Sequence, residues 1–319
     1  MKLLIVAGVL LAGYATVAVM SSRQEVRAEA EFPPEGAFVE VDGRQVHYVQ
    51  AGSGPDVILL HGASGNTRDW TFSFVEELSA NYRVTAFDRP GMGYTARIAG
   101  YGGPFDGDAE SPQEQAAFLS AAAQQLGIEN PIVVGQSFGG AVAYAWALDQ
   151  PAAAVVSLAG VALPWPGELG LFYRVNGSSL GGALFPPMIA AFVPDSYVES
   201  TINGIFAPQD APEGYAEHIG APLSIRTKSF RANALQVNTL YPHIEEQSER
   251  YDELMLPIEI VHGDADTTVP LNVHSAPFSE RVESANLTVL PGIGHMPQHV
   301  AEAESIAAID RAASRAGLR

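Results

Sequence analysis

One serine of the chain lies where a nucleophile could be exposed. Ser137 is framed by Gly135 and Gly139, the β-branched run 132–134 precedes it, and the alanine-rich stretch 141–148 follows it. A serine on a sharp turn between a strand and a helix needs small residues two positions away on each side, because neighbouring chain passes close by. The start of the following helix favours negative charge at that place. The pattern Gly-x-Ser-x-Gly in this setting predicts that the hydroxyl of Ser137 is a nucleophile.

A serine hydroxyl is a poor nucleophile at neutral pH and needs a base and an acid that orients the base. Candidates for both occur later in the chain. A polar turn with Asp264 and Asp266 follows one apolar run, and a glycine-rich loop that ends in His295 follows the next. Both runs read as buried strands, so the side chains are expected at strand ends. The order along the chain is Ser, Asp, His.

With these residues the chain resembles the α/β-hydrolase superfamily, from roughly Phe38 to its end. The elbow at Ser137 and the Ser, Asp, His order are two of the features that agree. Two more precede the serine: His61-Gly62-Ala63 is similar to the superfamily's histidine-glycine turn after its third strand, and 88–93 is similar to its Asp-x-x-Gly turn. The resemblance implies an α/β-hydrolase fold, a mostly parallel sheet flanked by helices, with an inserted and mainly helical cap.

The resemblance also implies roles for individual residues. Ser137 attacks a substrate carbonyl and becomes acylated, while His295 takes its proton and later passes it to the leaving group. Asp266 holds the imidazole in the required tautomer and stabilises its charged form. The backbone amides of Ala63 and Phe138 form the oxyanion hole, which stabilises the tetrahedral intermediate.

Two neighbours compete for these roles. Asp264 is the other candidate acid, and Asp266 is preferred because it fits the Gly-x-x-Asp spacing from Gly263. His299 is close enough in sequence to be the base, but the glycine-framed loop favours His295. The remaining histidines lack the close His/Glu spacing of a zinc site. We therefore expect neither a metal nor another cofactor.

The order of elements independently predicts an α/β sheet protein. The segments 38–41 and 45–50 read as a hairpin around Asp42-Gly43, a strong two-residue turn signal. Further apolar runs read as strands, separated by helical stretches such as 112–126. These runs are 57–60, 83–87, 131–134, 154–159, 257–261 and 286–290. Strands that alternate with helices predict a mostly parallel sheet with helices on both faces.

The same pattern divides the chain. Residues 36–161 and 250–319 are expected to form the catalytic domain, and 162–249 the cap, because this interval far exceeds a connection of about 2–6 residues. An insertion at the carboxyl ends of the strands should lie over Ser137 and form much of the pocket wall. Residues 1–35 are expected to be a signal peptide or membrane anchor plus linker.

Several activities use the same three residues. The leading interpretation is a serine hydrolase, carboxylesterase-like, that cleaves a carboxylic ester or a related acyl bond through an acyl-enzyme, with an apolar acyl compound as its substrate. A C–C bond hydrolase, a lactonase and a cofactor-free perhydrolase stay open as alternatives, as does a non-catalytic binding protein of the same fold. Dehalogenases and epoxide hydrolases of this capped type attack with aspartate, so Ser137 argues against those activities.

Composition narrows the partners. The 319 residues carry a formal net charge of −19, which argues against nucleic acid, because phosphate binding needs a basic surface. A small molecule is the expected substrate. The chain has no cysteine, which excludes disulfides and thiolate chemistry.

The first residues suggest export. The apolar run 3–20 follows Lys2, and Ala28-Glu29-Ala30 offers a signal-peptidase-like site downstream. A signal peptide has an apolar core of roughly 7–15 residues, whereas an anchor needs roughly 17–25. We expect a periplasmic or extracellular catalytic domain, either released or anchored to the cytoplasmic membrane by this run.

Overall fold

The protein is described by a computed structural model that covers residues 1–103 and 105–319, apart from the side chain of Leu3. Within these residues, eight strands form one sheet in the order β1-β2-β4-β3-β5-β6-β7-β8. The strands are β1 Ala37–Val41, β2 Arg44–Ala51, β3 Asp56–Leu60, β4 Arg83–Phe87, β5 Ile132–Gln136, β6 Ala154–Leu158, β7 Ile258–Gly263 and β8 Ala285–Leu290. Strands β3 to β8 are parallel, and β2 is antiparallel to both β1 and β4. This is the predicted α/β-hydrolase fold, and the predicted strand runs are confirmed.

The hairpin between β1 and β2 forms at the predicted turn. Asp42 and Gly43 both have positive φ, at 49° and 72°, which is the geometry that matches the twist of the flanking strands. The central strands β5 and β6 are buried along their whole length, in agreement with continuous apolar runs covered on both faces.

The helices fall into three groups by their place in the chain. Those before β6 in the chain are α1 Lys2–Glu31, α2 Arg68–Thr71, α3 Phe74–Ser79, α4 Pro112–Gln125 and α5 Phe138–Asp149. Those between β6 and β7 are α6 Leu171–Asn176, α7 Ser179–Phe192, α8 Asp195–Phe206, α9 Tyr215–His218, α10 Ala221–Ile225, α11 Thr227–Asn238 and α12 Leu240–Glu249. The last are α13 Ser275–Arg281, α14 Pro297–Val300 and α15 Glu302–Arg315.

Two apolar clusters cover the two faces of the sheet. Helices α4 and α5 pack on one face, where Leu119 and Trp146 are fully or almost fully buried. Helices α3 and α15 pack on the other, with Phe74 and Ile309 in contact with the strands. The predicted helix over 112–126 is confirmed as α4, which starts with a Ser111–Glu114 capping box that satisfies its first amides.

Helix α1 differs from the expectation of an apolar segment followed by a linker. It continues unbroken to Glu31 and packs against α7 and α10. Polar contacts hold its second half: Ser21 Oγ lies 2.7 Å from Thr227 Oγ1, and Glu29 pairs with Arg226 at 2.8 Å. These contacts explain why the charged residues after Met20 are helical, and they depend on a partner surface more than 190 residues away in the chain.

Candidate active site

The turn between β5 and α5 holds Ser137 in a strained conformation. Its φ is 53° and its ψ is −119°, a region that non-glycine residues rarely adopt. The close approach predicted for the flanking glycines is present, because a Cβ on Gly135 would overlap the carbonyl of Gly139. A Cβ on Gly139 would in turn overlap the carbonyl of Leu60. The turn thus places the serine hydroxyl beside the end of β3.

The structure brings Ser137, His295 and Asp266 together in one hydrogen-bonded chain. Ser137 Oγ lies 2.9 Å from His295 Nε2, and His295 Nδ1 lies 2.7 Å from Asp266 Oδ2. All three residues are buried, with 9%, 4% and 5% of their surface exposed. Since a carboxylate can only accept, Nδ1 carries the proton and Nε2 is left to accept from the hydroxyl. The imidazole therefore has the tautomer that a general base needs.

Asp266 is held as a carboxylate. Its Oδ1 accepts hydrogen bonds from the amides of Thr268 and Val269 at 2.8 and 2.9 Å. Burial opposes ionisation, but the hydrogen bonds from His262 and His295 outweigh it and hold the pKa of Asp266 well below its usual range. The second histidine was not singled out by the sequence, because His262 reads there as the packed end of a strand.

The competing candidates lie elsewhere. Asp264 Oδ1 accepts from the amide of Gly292 at 2.6 Å, and so supports the turn that leads toward His295. His299 Nε2 lies 2.8 Å from Asp69 Oδ1, to which Tyr215 also donates at 2.7 Å. The structure therefore places neither Asp264 nor His299 beside Ser137.

The loop after β3 packs directly against the serine. A Cβ on Gly62 would lie 3.0 Å from the Cβ of Ser137, so the backbone that leads to Ala63 passes beside the nucleophile. The amide of Phe138 belongs to the first residue of α5. The two amides predicted as oxyanion donors therefore belong to the loop after β3, in the case of Ala63, and to the start of α5, in the case of Phe138.

A buried arginine fixes the loop. The guanidinium of Arg89 donates to the carbonyls of His61 and Gly62, at 2.9 and 3.0 Å, and lies 4.2 Å from the ring centroid of Phe138. Its remaining donors reach Gln115 and Gln236. Burial lowers the pKa of Arg89, yet an arginine starts high enough to stay charged.

The imidazole of His61 adds to this network without carrying charge. Its Nδ1 lies 2.8 Å from the carbonyl of Gly62, and its Nε2 accepts from the amide of Arg89 at 3.0 Å. Burial, helped by the positive charge of Arg89, lowers the pKa of His61 to about 4. His61 is therefore neutral at pH 7, and its ring joins the loop after β3 to the backbone of Arg89 after β4.

Three further polar residues hold the site, and sequence reasoning missed them all. Asn233 Oδ1 accepts from the amide of Ser64 at 2.7 Å, and Ser224 Oγ donates to the carbonyl of Ser64 at 2.6 Å. Gln136 Nε2 donates to the carbonyl of His295 at 3.2 Å. Asn233 and Ser224 lie more than 150 residues away from Ser64, and no local signal in the sequence marks them.

A cavity of about 450 Å³ lies between α1 and the helices α7 to α10. Helix α10 separates it from the site: Ala221 and Pro222 line the cavity, whereas Ser224 of the same helix touches the loop beside Ala63.

As an arrangement, the site can activate a hydroxyl and receive its proton. The serine hydroxyl donates toward Nε2 of the imidazole, and the imidazole is oriented by a fixed carboxylate. Such a set can carry out nucleophilic addition to a carbonyl.

A family comparison covers most of the chain. The model of the alpha/beta hydrolase family matches residues 57–308, a span that includes Ser137, Asp266 and His295.

Three curated relatives show different activities in their names. A non-heme haloperoxidase from Rhodococcus erythropolis is 26% identical and covers 80% of this chain and 90% of its own. A 2-hydroxy-6-oxononadienedioate/2-hydroxy-6-oxononatrienedioate hydrolase from Klebsiella pneumoniae is 27% identical, covering 82% of this chain and 86% of its own. A dihydrolipoyllysine-residue acetyltransferase component of an acetoin cleaving system from Cupriavidus necator is 35% identical over 116 residues; the chain spans only 28% of that relative.

Solved structures agree in fold. An esterase from Thermogutta terrifontis superposes with a TM-score of 0.67 at 19% identity, covering 88% of this chain and 99% of the other. At this level of identity the similarity establishes a shared architecture.

Proposed function

Because this chain belongs to the alpha/beta hydrolase family, we propose that it is a serine hydrolase that cleaves a carboxylic ester or a related acyl bond through an acyl-enzyme. The observation that carries the proposal is the buried chain from Ser137 Oγ through His295 to Asp266, with distances of 2.9 and 2.7 Å. Both contacts lie within the range in which a proton can be passed.

The proposed reaction begins at Ser137. Its oxygen adds to the substrate carbonyl as its proton moves to His295 Nε2, and the charge that develops on the imidazole is balanced by Asp266. The C–O bond to the alcohol then breaks, and the imidazolium donates its proton to the leaving oxygen. Water then attacks the acyl-serine as the same nitrogen takes its proton. The bond to Ser137 Oγ breaks, the imidazolium returns the proton to that oxygen, and the acid is released.

The amides of Ala63 and Phe138 are the proposed donors to the oxyanion. This role is supported by the loop from Gly62 passing beside Ser137 and by the network of Arg89 that holds the carbonyls before it. A fixed donor requires no rearrangement when charge appears, which is why rigid backbone suits this task.

Residues 162–249 are proposed to act as a cap over the nucleophile, with 36–161 and 250–319 as the catalytic domain. Ser224 and Asn233, both from this insertion, contact Ser64 beside the proposed oxyanion loop. An apolar acyl compound is the proposed substrate, and the apolar helix α1 supports an exported domain held at a membrane.

A second candidate is hydrolysis of a carbon–carbon bond next to a ketone. The relative from Klebsiella pneumoniae favours it, since the similarity spans 82% of this chain. The two candidates share the nucleophile and differ in the leaving group.

The test is hydrolysis of p-nitrophenyl esters of increasing acyl length by the full chain, beside Ser137→Ala. We expect activity in the parent and loss of at least about a thousandfold in the variant, because the nucleophile acts as a unit with its base. Ser200→Ala, the same change at an exposed position of α8, is the matched control. Activity that survives in Ser137→Ala refutes the proposal. If the parent hydrolyses a vinylogous diketone but none of the esters, the second candidate is selected.

A further inference from the structure

Helix α7 has its apolar residues on the outside. Leu180, Leu184, Met188 and Phe192 follow one another at intervals of four, and so form one stripe along the helix. Their exposed fractions are 71%, 48%, 45% and 55%. The 14 residues of α7 include no charged side chain. A surface helix of a water-soluble domain places polar residues on that face, so α7 has the reverse pattern.

The inward face of α7 consists of small residues and proline. Gly181, Gly182, Ala190 and Ala191 are buried there. The two glycines face α6 and α11, and the helix also lies against α1. Close packing of helices through small residues, with large apolar residues turned outward, is the arrangement found where the surroundings are lipid.

Helix α1 supplies a neighbour of the same character. It is long and apolar enough to cross a membrane, with a mean hydropathy of 2.1 in its most apolar window. Leu4, Val9 and Leu10 are 78%, 66% and 68% exposed. The first charged residue after this run is Arg23, so the apolar half of α1 ends about where a bilayer's headgroup layer would begin.

The two helices run in the same direction. Tyr14 of α1 donates a hydrogen bond to the carbonyl of Ala183, and fourteen residues later Ala28 borders the same cavity as Ala190. The first turns of α7 therefore lie beside the apolar half of α1. Helix α6 packs at the same end and exposes Leu171 and Phe172, at 74% and 49%.

We propose that the cap is itself seated in the lipid bilayer, through a face formed by Leu171, Phe172, Leu180, Leu184 and Phe185, named here the cap tip. The occupant is lipid hydrocarbon, because the cap tip continues the exposed apolar surface of α1 without an intervening charge on α7. Soluble monomers rarely expose contiguous apolar surface of this extent. The molecule is thus held at two places, by a helix and by its cap.

The absence of cysteine from the chain makes a direct test available, since one introduced thiol is the single labelling site. The full chain with Leu184→Cys is labelled with an environment-sensitive NBD fluorophore and reconstituted in phosphatidylcholine vesicles. Asn130→Cys, in the exposed turn before β5 at the opposite end of the strands, is the matched control. Val9→Cys reports on α1. Quenching by phosphatidylcholine that carries a nitroxide on its acyl chain measures contact with hydrocarbon.

We expect blue-shifted emission and strong quenching at positions 184 and 9, and water-like emission without quenching at 130. Quenching at 9 but not at 184 overturns the proposal, since the cap then stands away from the bilayer. A blue shift at 184 that nitroxide lipid does not quench overturns it in favour of a second copy of the chain. Circular dichroism of each labelled variant verifies that the fold is retained.

Discussion

At the scale of single residues, Arg89 of the 88–93 turn links the loop after β3 to the start of α5. Its side chain holds the two carbonyls that precede Ala63, and its ring contact reaches Phe138, the residue that carries the other proposed oxyanion amide. Lysine has one ammonium in place of a planar fork and cannot satisfy both carbonyls and both glutamines at once.

We therefore expect Arg89→Lys to lower kcat by about 10- to 100-fold while KM changes little, because a displaced donor weakens binding of the transition state. Steady-state kinetics on the preferred ester measures the effect. Arg83→Lys, at the other end of β4, is the matched control and should stay within about twofold. An equal loss in both variants would mean that Arg89 acts only through general stability.

Asn233 makes a second prediction at this scale. Its carbonyl oxygen accepts from the amide of Ser64, so Asn233→Ala leaves a partly buried N–H without its partner. We expect kcat to fall about tenfold and the free energy of unfolding to fall by about 1–2 kcal/mol. Urea unfolding beside kinetics separates the two effects, and Ser224→Ala, which touches the same residue from the carbonyl side, should cost less. A parent-like kcat in Asn233→Ala would show that this contact does not position the loop.

The sequence predicted that Ser137, Asp266 and His295 act together because each follows a strand and has a recognisable local pattern, and the structure brings their side chains into contact. The residues that hold them were not predictable in that way. Arg89 and Gln136 stand inside recognised turns without a predicted role, Asn233 carries no local signal, and the contacts of all three exist only after distant segments have packed. Local sequence patterns do not determine which distant carbonyl an arginine side chain contacts.

At the scale of elements, the turn from β5 into α5 depends on the lack of side chains at its flanks. A Cβ at Gly139 would overlap the backbone of Leu60, which belongs to the rigid central sheet and cannot move aside. Gly204, within α8, has open space at the same position.

We expect Gly139→Ala to lower the free energy of unfolding by about 3 kcal/mol or more, the scale of overpacking in a core, and to abolish activity. The matched change Gly204→Ala should stabilise by up to about 1 kcal/mol, because alanine is the better helix former. Chemical denaturation of both variants provides the comparison. A Gly139→Ala protein as stable as the parent would mean that the turn can relax.

Elements differed in how far local sequence determined them. The hairpin at Asp42-Gly43, the strand runs and α4 were predicted with boundaries close to those observed, since turn residues, buried runs and a capping box act locally. The second half of α1 was expected as a linker. Its helix is stabilised by Thr227 and Arg226, which the local sequence does not contain.

At the scale of the whole molecule, the burial of histidines makes the free energy of unfolding depend on pH. Burial lowers the pKa of His61 and that of His274 to about 4, from a usual value of 6.5. Between those values the unfolded chain binds protons that the folded chain does not, so the free energy of unfolding falls as pH falls from about 6.5 to 4. Each group contributes a loss of about 3 kcal/mol across that window.

We expect the melting temperature to drop steeply from pH 6.5 to pH 4.5, and His274→Gln to drop less, because glutamine removes one titrating group but keeps an acceptor for the amide of Leu163. Calorimetry at several pH values is the measurement. The carboxylates with lowered pKa, Asp69, Asp88 and Asp266, lose their contribution only below about pH 3.8 and so lie outside this window. An unchanged slope in His274→Gln would assign the acid sensitivity elsewhere.

Helix α10 borders the 450 Å³ cavity through Ala221 and Pro222 and contacts the loop after β3 through Ser224, while Ser137 is 9% exposed. A substrate that enters from the cavity reaches the site only after this five-residue helix moves aside, and the product leaves by the same movement. The rate of turnover would then be limited by the movement of α10 and not by the chemical step. The kcat for a fast substrate should then fall in proportion to the viscosity of added sucrose. The kcat for a slow substrate, which the chemical step limits, should not change with viscosity.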